Sequence, residues 1–223
     1  MKRDLVAAAG VILLAAAPGW TQTPAGSPNL DVILQGTPDA PLVVNQSHHR
    51  VLAYMISFVS PNGRRTRVMA SFLGELRNHL PSPGIAPGGS RVFQMMTQTL
   101  DAAGNSTSSG FNGATITAVV FDSGEIVGPD STAAYDEIQG RIDGERYVNS
   151  LALVNTTSAW LSLAAIAKGQ MPPATGSTTY QQQYKSAARA YAGELTRAHE
   201  AGRDIAELAQ RSSAYPVLTK GGN

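Results

Sequence analysis

The chain has 223 residues, which is enough for one large domain or two small ones with a hydrophobic core. It contains no cysteine, which excludes disulfide bonds, a cysteine nucleophile and a lipid-modified cysteine. Without Lys2, Arg3 and Asp4 it has fifteen basic and fifteen acidic side chains, and this balance predicts no nucleic acid partner.

Residues 1–25 are predicted to be a signal peptide and the start of a flexible tether. A short basic start precedes an apolar run at residues 5–17, and small residues with a Pro-Gly break follow. This run is shorter than the roughly 20 residues that span a bilayer, so no transmembrane span is predicted in the mature chain. The alanine-rich pattern favours export to the bacterial periplasm or the extracellular space, with cleavage after Gly19 or Ala25. An uncleaved N-terminal anchor is the alternative.

Residues 30–130 are predicted to form an antiparallel β-sandwich of immunoglobulin-like topology. About seven short strands alternate with Pro- and Gly-rich connections, and no helix among them is long enough for a crossover. An open barrel is the second choice. The clearest strand covers residues 50–60, where every second residue lies on a larger, more aromatic face. We expect this face to lie in the core: Leu52, Tyr54, Ile56 and Phe58.

Two turns organise the predicted sheets. Asn62 and Gly63 tolerate positive φ and are expected to close a hairpin. Residues 122–124 are expected to turn the last hairpin, after which a Gly-Pro pair ends the sheet because proline has no amide hydrogen to donate. Asp130 or Ser131 can then cap a helix with its side-chain oxygen.

Residues 131–215 are predicted to form a long helical hairpin. No proline occurs from residue 131 to 168, and apolar residues recur there at roughly helical spacing. Gly140 and Gly144 each cost about 1 kcal/mol against alanine in a helix. The first arm is therefore either one helix of about 55 Å or two helices with a kink near Asn155.

The second arm, predicted as one helix over residues 179–212, has a seam that steps by three and four residues. The seam consists of Tyr184, Ala188, Tyr191, Leu195, Ala198, Gly202 and Ile205, followed by Ala209. This heptad-like spacing is typical of a coiled coil, and the small residues allow close approach of another helix. Glu194 and Arg197 fall off the seam and can pair along the exposed side. We predict helix pairing through the seam, either within the chain or with a protein partner or second copy.

No recognised catalytic or cofactor motif is present. The phosphate-binding loop, the dinucleotide fingerprint, Gly-x-Ser-x-Gly and His-Glu-x-x-His are all absent, so no cofactor is predicted. His48 and His49 are adjacent and point to opposite sides of a strand or turn, so no metal site is predicted. A hydrolase that pairs one of these histidines with Asp122 or Glu125 would need hydrogen-bond reach within a pocket.

A basic patch is predicted beside the Asn62-Gly63 hairpin. Its members would be neighbours if the hairpin forms: His48, His49, Arg50, Arg64, Arg65 and Arg67. Such a patch can bind anionic sugar or lipid groups. Arginine on an exposed edge strand also guards against edge-to-edge aggregation, and this simpler explanation stays open.

The first half of the chain resembles the small immunoglobulin-like domains of uncharacterised secreted bacterial proteins. The resemblance lies in an Asn-x-Ser opening, a hydrophobic strand, a turn with glycine, a Pro-Gly-x-Ser segment and a late strand ending in Gly-Pro-Asp. These are residues 45–47, 51–58, 62–63, 87–90 and 118–130. The resemblance implies a fold and an envelope location, and it carries over no active site.

We therefore expect an exported, non-enzymatic binding or scaffolding protein of the bacterial cell envelope. An envelope hydrolase with an unrecognised His/carboxylate site is the alternative. Carbohydrate binding by the sandwich ranks third, because a row of exposed aromatic residues is expected for it and the only tryptophans are Trp20 and Trp160.

Overall fold

The computed structural model describes residues 30–38, 40–78, 80–93, 98–100, 106–108, 110–171, 173–210 and 215–220. The predicted signal peptide and tether lie outside the described residues. The side chains of residues 98–100, 106–108, 206, 207, 210 and 220 are also not described.

The chain is a mixed α+β protein whose long helices all lie in the C-terminal half. The strands are β1 (Val32–Thr37), β2 (Ala40–Asn45), β3 (Val51–Val59), β4 (Arg65–Ser71), β5 (Ser90–Val92), β6 (Gln98–Leu100), β7 (Ser106–Ser108), β8 (Gly113–Phe121), β9 (Glu125–Val127) and β10 (Thr219–Lys220). The helices are α1 (Leu73–Arg77), α2 (Ser131–Val154), α3 (Thr157–Ala167), α4 (Thr178–Glu200) and α5 (Ile205–Gln210).

The strands form two main sheets and one separate β6-β7 pair. One sheet has the order β1-β2-β5 and is antiparallel throughout. The other has the order β10-β9-β8-β3-β4 and is antiparallel except for β10, which pairs parallel to β9. Strand β3 lies inside this sheet, with β8 on one side and β4 on the other.

The five-stranded sheet is buried on both faces. On one face Tyr54, Ile56 and Phe58 share a core with Val32 and Val43 of the three-stranded sheet, which confirms their predicted burial. Leu52 is also buried, but it is the extra residue of a β-bulge, and Val51 joins this core instead.

The other face of the same sheet packs against α2. Ala53 and Met55 of β3 lie in one cluster with Ile138 and Ile142 of α2. The sequence of β3 predicts a single core face, whereas the structure places an apolar layer on each side. The order of layers is therefore three-stranded sheet, five-stranded sheet and helices.

The sheet ends and the helices begin as the turn residues predict. Gly124 has φ 86° and donates its N–H to the Phe121 carbonyl at 2.9 Å, which closes the last hairpin. Of the two predicted caps, Asp130 precedes α2 but its side chain makes no capping hydrogen bond, and Ser131 is already the first residue of the helix. The Asp130 carboxylate lies 3.3 Å from Arg67 instead, so it joins the helix start to β4.

The predicted first arm is two helices. Asn155 has φ 48°, a left-handed conformation that ends α2, and Thr156 then caps α3 by accepting the Ala159 N–H through its hydroxyl. The segment is therefore not one continuous helix, and the turn lies at the predicted Asn155.

The predicted second arm is also interrupted, so a continuous helix over residues 179–212 is wrong. Gly202 has φ 69° and donates to the His199 carbonyl, while Arg203 donates to the Ala198 carbonyl. These two bonds form a Schellman motif, in which glycine favours the left-handed position. Gly202 therefore ends α4 and does not continue the seam.

Helices α2 and α4 lie in direct contact and run parallel, and α3 returns antiparallel alongside them. Gly140 of α2 approaches Tyr180 of α4, and Gly144 approaches Tyr184, so α2 and α4 run in the same direction. Trp160, near the start of α3, stacks on His199 near the end of α4, so α3 runs opposite to α4. The C-terminal half therefore contains more than the two arms that the sequence predicts.

Candidate functional site

The histidine and carboxylate of the predicted hydrolase meet on an open surface. His49 Nδ1 lies 3.7 Å from Asp122 Oδ1, which is ion-pair distance but beyond a hydrogen bond. The two side chains are 56 % and 46 % exposed, and neither lines any of the three hollows described below. His48 and Glu125 are also exposed.

The six predicted basic-patch residues lie at opposite ends of β3. The hairpin places Arg65 opposite Val59 and Arg67 opposite Ser57. Arg50 precedes the other end of β3, about 30 Å away at 3.3 Å per residue. There its guanidinium donates to Ser82 and Pro83. The structure therefore does not bring these residues into one patch.

The predicted seam packs within the chain. Its buried members share a core with Val148 of α2 and Leu163 of α3: Ala188, Tyr191, Leu195, Ala198 and Ile205. Tyr184 is half-buried and Gly202 is exposed. The faces of α2 and α3 cover most of the seam.

A half-buried ionic cluster joins the sheet half to the helices. Arg77 of α1 lies 3.1 Å from Glu145 of α2 and 3.0 Å from Glu194 of α4. Its guanidinium lies 4.8 Å from the ring centroid of Tyr191, and Tyr215 donates its hydroxyl to Glu145. Glu194 therefore pairs across the fold with Arg77, whereas the sequence predicts that it pairs along the exposed side of its own helix.

The cluster shifts the pKa values of two of its members. Burial alone would lower the pKa of Arg77, but Glu145 and Glu194 outweigh that effect and raise it. Burial, and then the negative charge of Glu145, raise the pKa of the Tyr215 phenol. Arg77 is therefore charged and Tyr215 neutral at all ordinary pH values, and both hold Glu145 in place.

A hollow of about 340 Å³ opens beside this cluster, between α1, α2 and α4. Arg77, Arg141 and Glu145 provide its charges. Arg141 is paired with Glu137 at 2.8 Å, and Arg77 is paired within the cluster. Each charged side chain of this hollow is paired with an opposite charge of the protein. These charges hold α1, α2 and α4 together and have a structural role. A third hollow, of about 10 Å³ beside β1 and β2, is too small for more than a water molecule.

A larger groove, of about 690 Å³, lies between the end of α3 and the outer side of α4. We call it the basic groove, and it is lined by Ala167, Gly169, Met171, Lys185, Ser186, Arg189, Ala190, Gly193 and Arg197. Lys185, Arg189, Gly193 and Arg197 follow one another at intervals of four residues, so they form one stripe along α4. Among the described residues, no acidic one lines the groove.

The three cations of the basic groove are not neutralised within the described part of the chain. None of the ion pairs found there includes Lys185, Arg189 or Arg197. Arg189 Nε donates to the Ala167 carbonyl at 3.3 Å, which ties its guanidinium to the α3 wall. Arg197 Nη1 lies 3.4 Å from where a Cβ on Gly193 would stand, so its guanidinium lies beside this glycine.

Neither the basic groove nor the ionic cluster is predicted from the sequence. The four-residue spacing of Lys185, Arg189 and Arg197 is visible in the sequence, but the α3 wall that makes it a groove is not. Arg77 and Glu194 are separated by 117 residues, and no local pattern connects them.

An apolar tip is exposed where α2 passes into α3. Leu153, Val154 and Leu161 are 56 %, 61 % and 69 % exposed. Trp160 stacks on His199 at 3.8 Å beside them and donates its indole N–H to Asn155. Adjacent exposed apolar residues of this kind are typical of contact surfaces.

Among the described residues no helix is both long and apolar enough to cross a membrane. The same part of the chain has no group of three or more His, Asp or Glu side chains placed to hold a metal ion. Comparison of the chain with protein-family models, with curated proteins and with solved structures finds no match.

Proposed function

We propose that the chain is an exported, non-enzymatic binding or scaffolding protein of the bacterial cell envelope. The observation that carries this proposal is the basic groove. Its volume of about 690 Å³ is in the range of small-molecule and cofactor sites, and it is lined by three cations that have no carboxylate partner among the described residues. Such a groove is arranged to bind a ligand.

Export rests on the sequence of residues 1–25. Their basic start, apolar run and small-residue break are those of a secretory signal. The absence of cysteine fits a chain that is stabilised by packing and by the ionic cluster, in whichever compartment it works.

A protein partner, or a second copy bound through the helices, is part of the proposal. Because α2 and α3 cover the seam, the helical surface left for such a contact is the apolar tip. We expect the mass of the mature chain in solution to exceed that of a monomer, and L153N/L161N to lower it. A monomer for both proteins at high concentration would count against self-association and leave a different protein as the partner.

We also propose that the two main sheets form an immunoglobulin-like sandwich, as in the secreted bacterial domains that the first half resembles. The strand orders β1-β2-β5 and β9-β8-β3-β4 support it, since an immunoglobulin fold has its first, second and fifth strands in one sheet and pairs its third strand with its sixth in the other. Methyl contacts between Val43 and Val119 in NMR spectra would support facing sheets, and their absence would contradict this. The division at residue 130 and the helical hairpin over residues 131–215 stay predictions.

An envelope hydrolase built on His49 and Asp122 is the rival function. The one observation in its favour is the 3.7 Å approach of the two side chains. Both are about half exposed to water, whereas a general base works in a site that holds its substrate. The rival predicts that H49A abolishes a hydrolytic activity, while the binding function predicts that H49A leaves ligand binding unchanged.

The binding function is tested by determining which cell fraction contains the chain and whether the chain binds envelope material. We expect the full chain, expressed in a bacterial host, to appear in the periplasmic or extracellular fraction with its N-terminus processed after Gly19 or Ala25. The processed protein should sediment with isolated envelope material. R189Q/R197Q should be released from it, whereas the matched variant R64Q/R65Q should stay bound. An unprocessed chain in the cytoplasm, or one that never binds envelope material, would contradict the proposal.

A further inference from the structure

We propose that the basic groove binds an acidic polysaccharide through the carboxylates of its sugar residues. This inference rests on the proposed binding function and names the class of ligand that the groove takes. It differs from carbohydrate binding by the sandwich, because the site lies on the helices and uses charge in place of aromatic stacking.

The spacing of the cations fits a chain with repeated charges. Lys185 and Arg189 lie about 6 Å apart along the axis of α4, and Arg197 lies about 12 Å further on, at 1.5 Å per residue. The groove therefore presents positive charge over about 18 Å of its length. An anion with a single charge would leave most of this length unused, whereas an extended polyanion contacts all three side chains.

Without a bound ligand, the like charges on this stripe of α4 lower the stability of the protein. Lys185 and Arg189 are four residues apart on a helix, where like charges destabilise each other. Elsewhere on the helices, arginines have carboxylate partners, such as Glu137 for Arg141 and Glu145 for Arg77. A bound anion would supply the missing partner for the basic groove.

The donors of the groove are side chains and suit the carboxylates of a sugar chain, and α4 adds no free backbone N–H groups of the kind that phosphate sites commonly use. Phosphate sites commonly use free backbone N–H groups at helix N-termini or in glycine-rich loops. The groove residues of α4 lie within the helix, at least seven residues after its first residue Thr178, where backbone N–H groups are bonded within the helix. The donors that remain are side chains, and the guanidinium of arginine matches a carboxylate, as it also matches a phosphate, with two parallel hydrogen bonds.

The floor of the groove suits a sugar chain. Ala190 and Gly193 are small, so a sugar ring can approach the axis of α4 closely. Ser186 adds a hydroxyl that can hydrogen-bond to a sugar hydroxyl. The Ala167 carbonyl holds Arg189 against the α3 wall, which orients its guanidinium before the ligand arrives.

The test is calorimetric titration of the processed full chain with hexagalacturonate, a polyuronate probe, at low and at physiological salt. We expect binding that weakens with salt, and at least a tenfold weaker affinity for R189Q/R197Q. R64Q/R65Q removes the same charge from exposed positions on the hairpin and should bind like the wild type. Equal melting temperatures of the three proteins would show that the changes act on the site and not on the fold.

Other outcomes would overturn the inference. No binding of hexagalacturonate at low salt, or equal losses in both double variants, would remove the groove as its site. Tripolyphosphate that competes for the groove and binds more tightly than hexagalacturonate would reassign it to phosphate chains. If the groove fails these tests while the exported chain still sediments with envelope material, the binding function stands and its surface lies elsewhere. Cytoplasmic location with intact binding in vitro would instead remove only the envelope function.

Discussion

At the scale of single residues, Arg77 does most to join the two halves of the chain. It follows β4 on the short helix α1 and is only 18 % exposed, yet it contacts a carboxylate on α2 and another on α4. An ion pair inside a protein contributes little more to stability than well-packed apolar side chains would. Removal of one partner is nevertheless destabilising, because the other charge is left without a counter-charge. The position of Glu145 therefore depends on Arg77.

We expect R77M to lower the free energy of unfolding by about 1–3 kcal/mol, because the half-buried Glu145 would lose its cation. Urea unfolding at pH 7 measures this loss. R64M, which removes an exposed arginine outside any ion pair of the described residues, should change the same quantity by about 0.5 kcal/mol or less. A loss below about 1 kcal/mol for R77M would show that water reaches Glu145 and that the joint is held by apolar contacts.

Tyr54 makes the stability of the folded protein depend on pH in the alkaline range. Burial raises the pKa of Tyr54 to about 12, while Arg91 lowers it slightly. Because the folded pKa lies above the unfolded value of about 10, the folded state keeps its proton longer. Its contribution to stability is complete below pH 10 and is lost as pH rises from 10 to 12.

We predict that Tyr54 alone costs the wild type about 1.4 kcal/mol of stability between pH 9 and pH 11. Y54F removes the titrating phenol. Between pH 9 and pH 11 the free energy of unfolding of Y54F should therefore fall by about 1.4 kcal/mol less than that of the wild type. Urea unfolding of both proteins at the two pH values measures the difference. Parallel losses in the two proteins would mean that Tyr54 ionises as easily in the fold as in the unfolded chain.

At the scale of elements, glycines set the distance between α2 and α4. A Cβ on Gly140 would lie 2.6 Å from the Tyr180 carbonyl oxygen, and one on Gly144 would overlap the Tyr184 carbonyl. The two glycines cost helix propensity, as the sequence indicates, and in return they let the backbone of α4 approach. Gly193 of α4 faces the basic groove and has no such neighbour, since only the Arg197 side chain comes within 4 Å of its Cβ position.

We expect G144A to destabilise the protein by about 1–3 kcal/mol, although alanine is the better helix former. The matched change G193A should be neutral or stabilising by up to about 1 kcal/mol, because it gains helix propensity without a clash. Thermal or urea unfolding of the pair measures both effects. If both changes stabilise the protein, the close contact between α2 and α4 is wrong.

The accuracy of the predictions made from the sequence differs from one element to another. Alternation in β3 places Tyr54, Ile56 and Phe58 correctly, and turn chemistry places the last hairpin, because these signals are local. Periodicity in α4 identifies a buried face but carries no information on which helix covers it or in which direction that helix runs. Gly202 fits the seam by spacing, yet its left-handed conformation decides its role.

At the scale of the whole molecule, three layers and a returning C-terminus make the two halves interdependent. Tyr215 and Leu218 are buried in the cluster that Ala53 and Ile138 also share, and β10 adds a strand beside β9. A chain ending at residue 130 would expose this face of the five-stranded sheet. The sequence predicts two consecutive units because burial on the second face of the sheet depends on contacts distant in the chain.

The same arrangement explains why the candidate site escaped prediction. The cations of the basic groove lie on α4, while Ala167 and Met171 of its wall come from α3 and the loop that follows it. Only the packing of the helices makes a groove out of a charged stripe. The predicted basic residues beside β3, in contrast, are separated by the length of that strand.

The central claim, that the basic groove holds the ligand, is tested most directly by NMR mapping. Backbone amide spectra of the labelled, processed chain are recorded while hexagalacturonate is added. We predict that the largest shift changes cluster on α4 from Lys185 to Arg197 and at the end of α3. Changes centred on residues 48–50 or 64–67, or no changes at low salt, would contradict the claim.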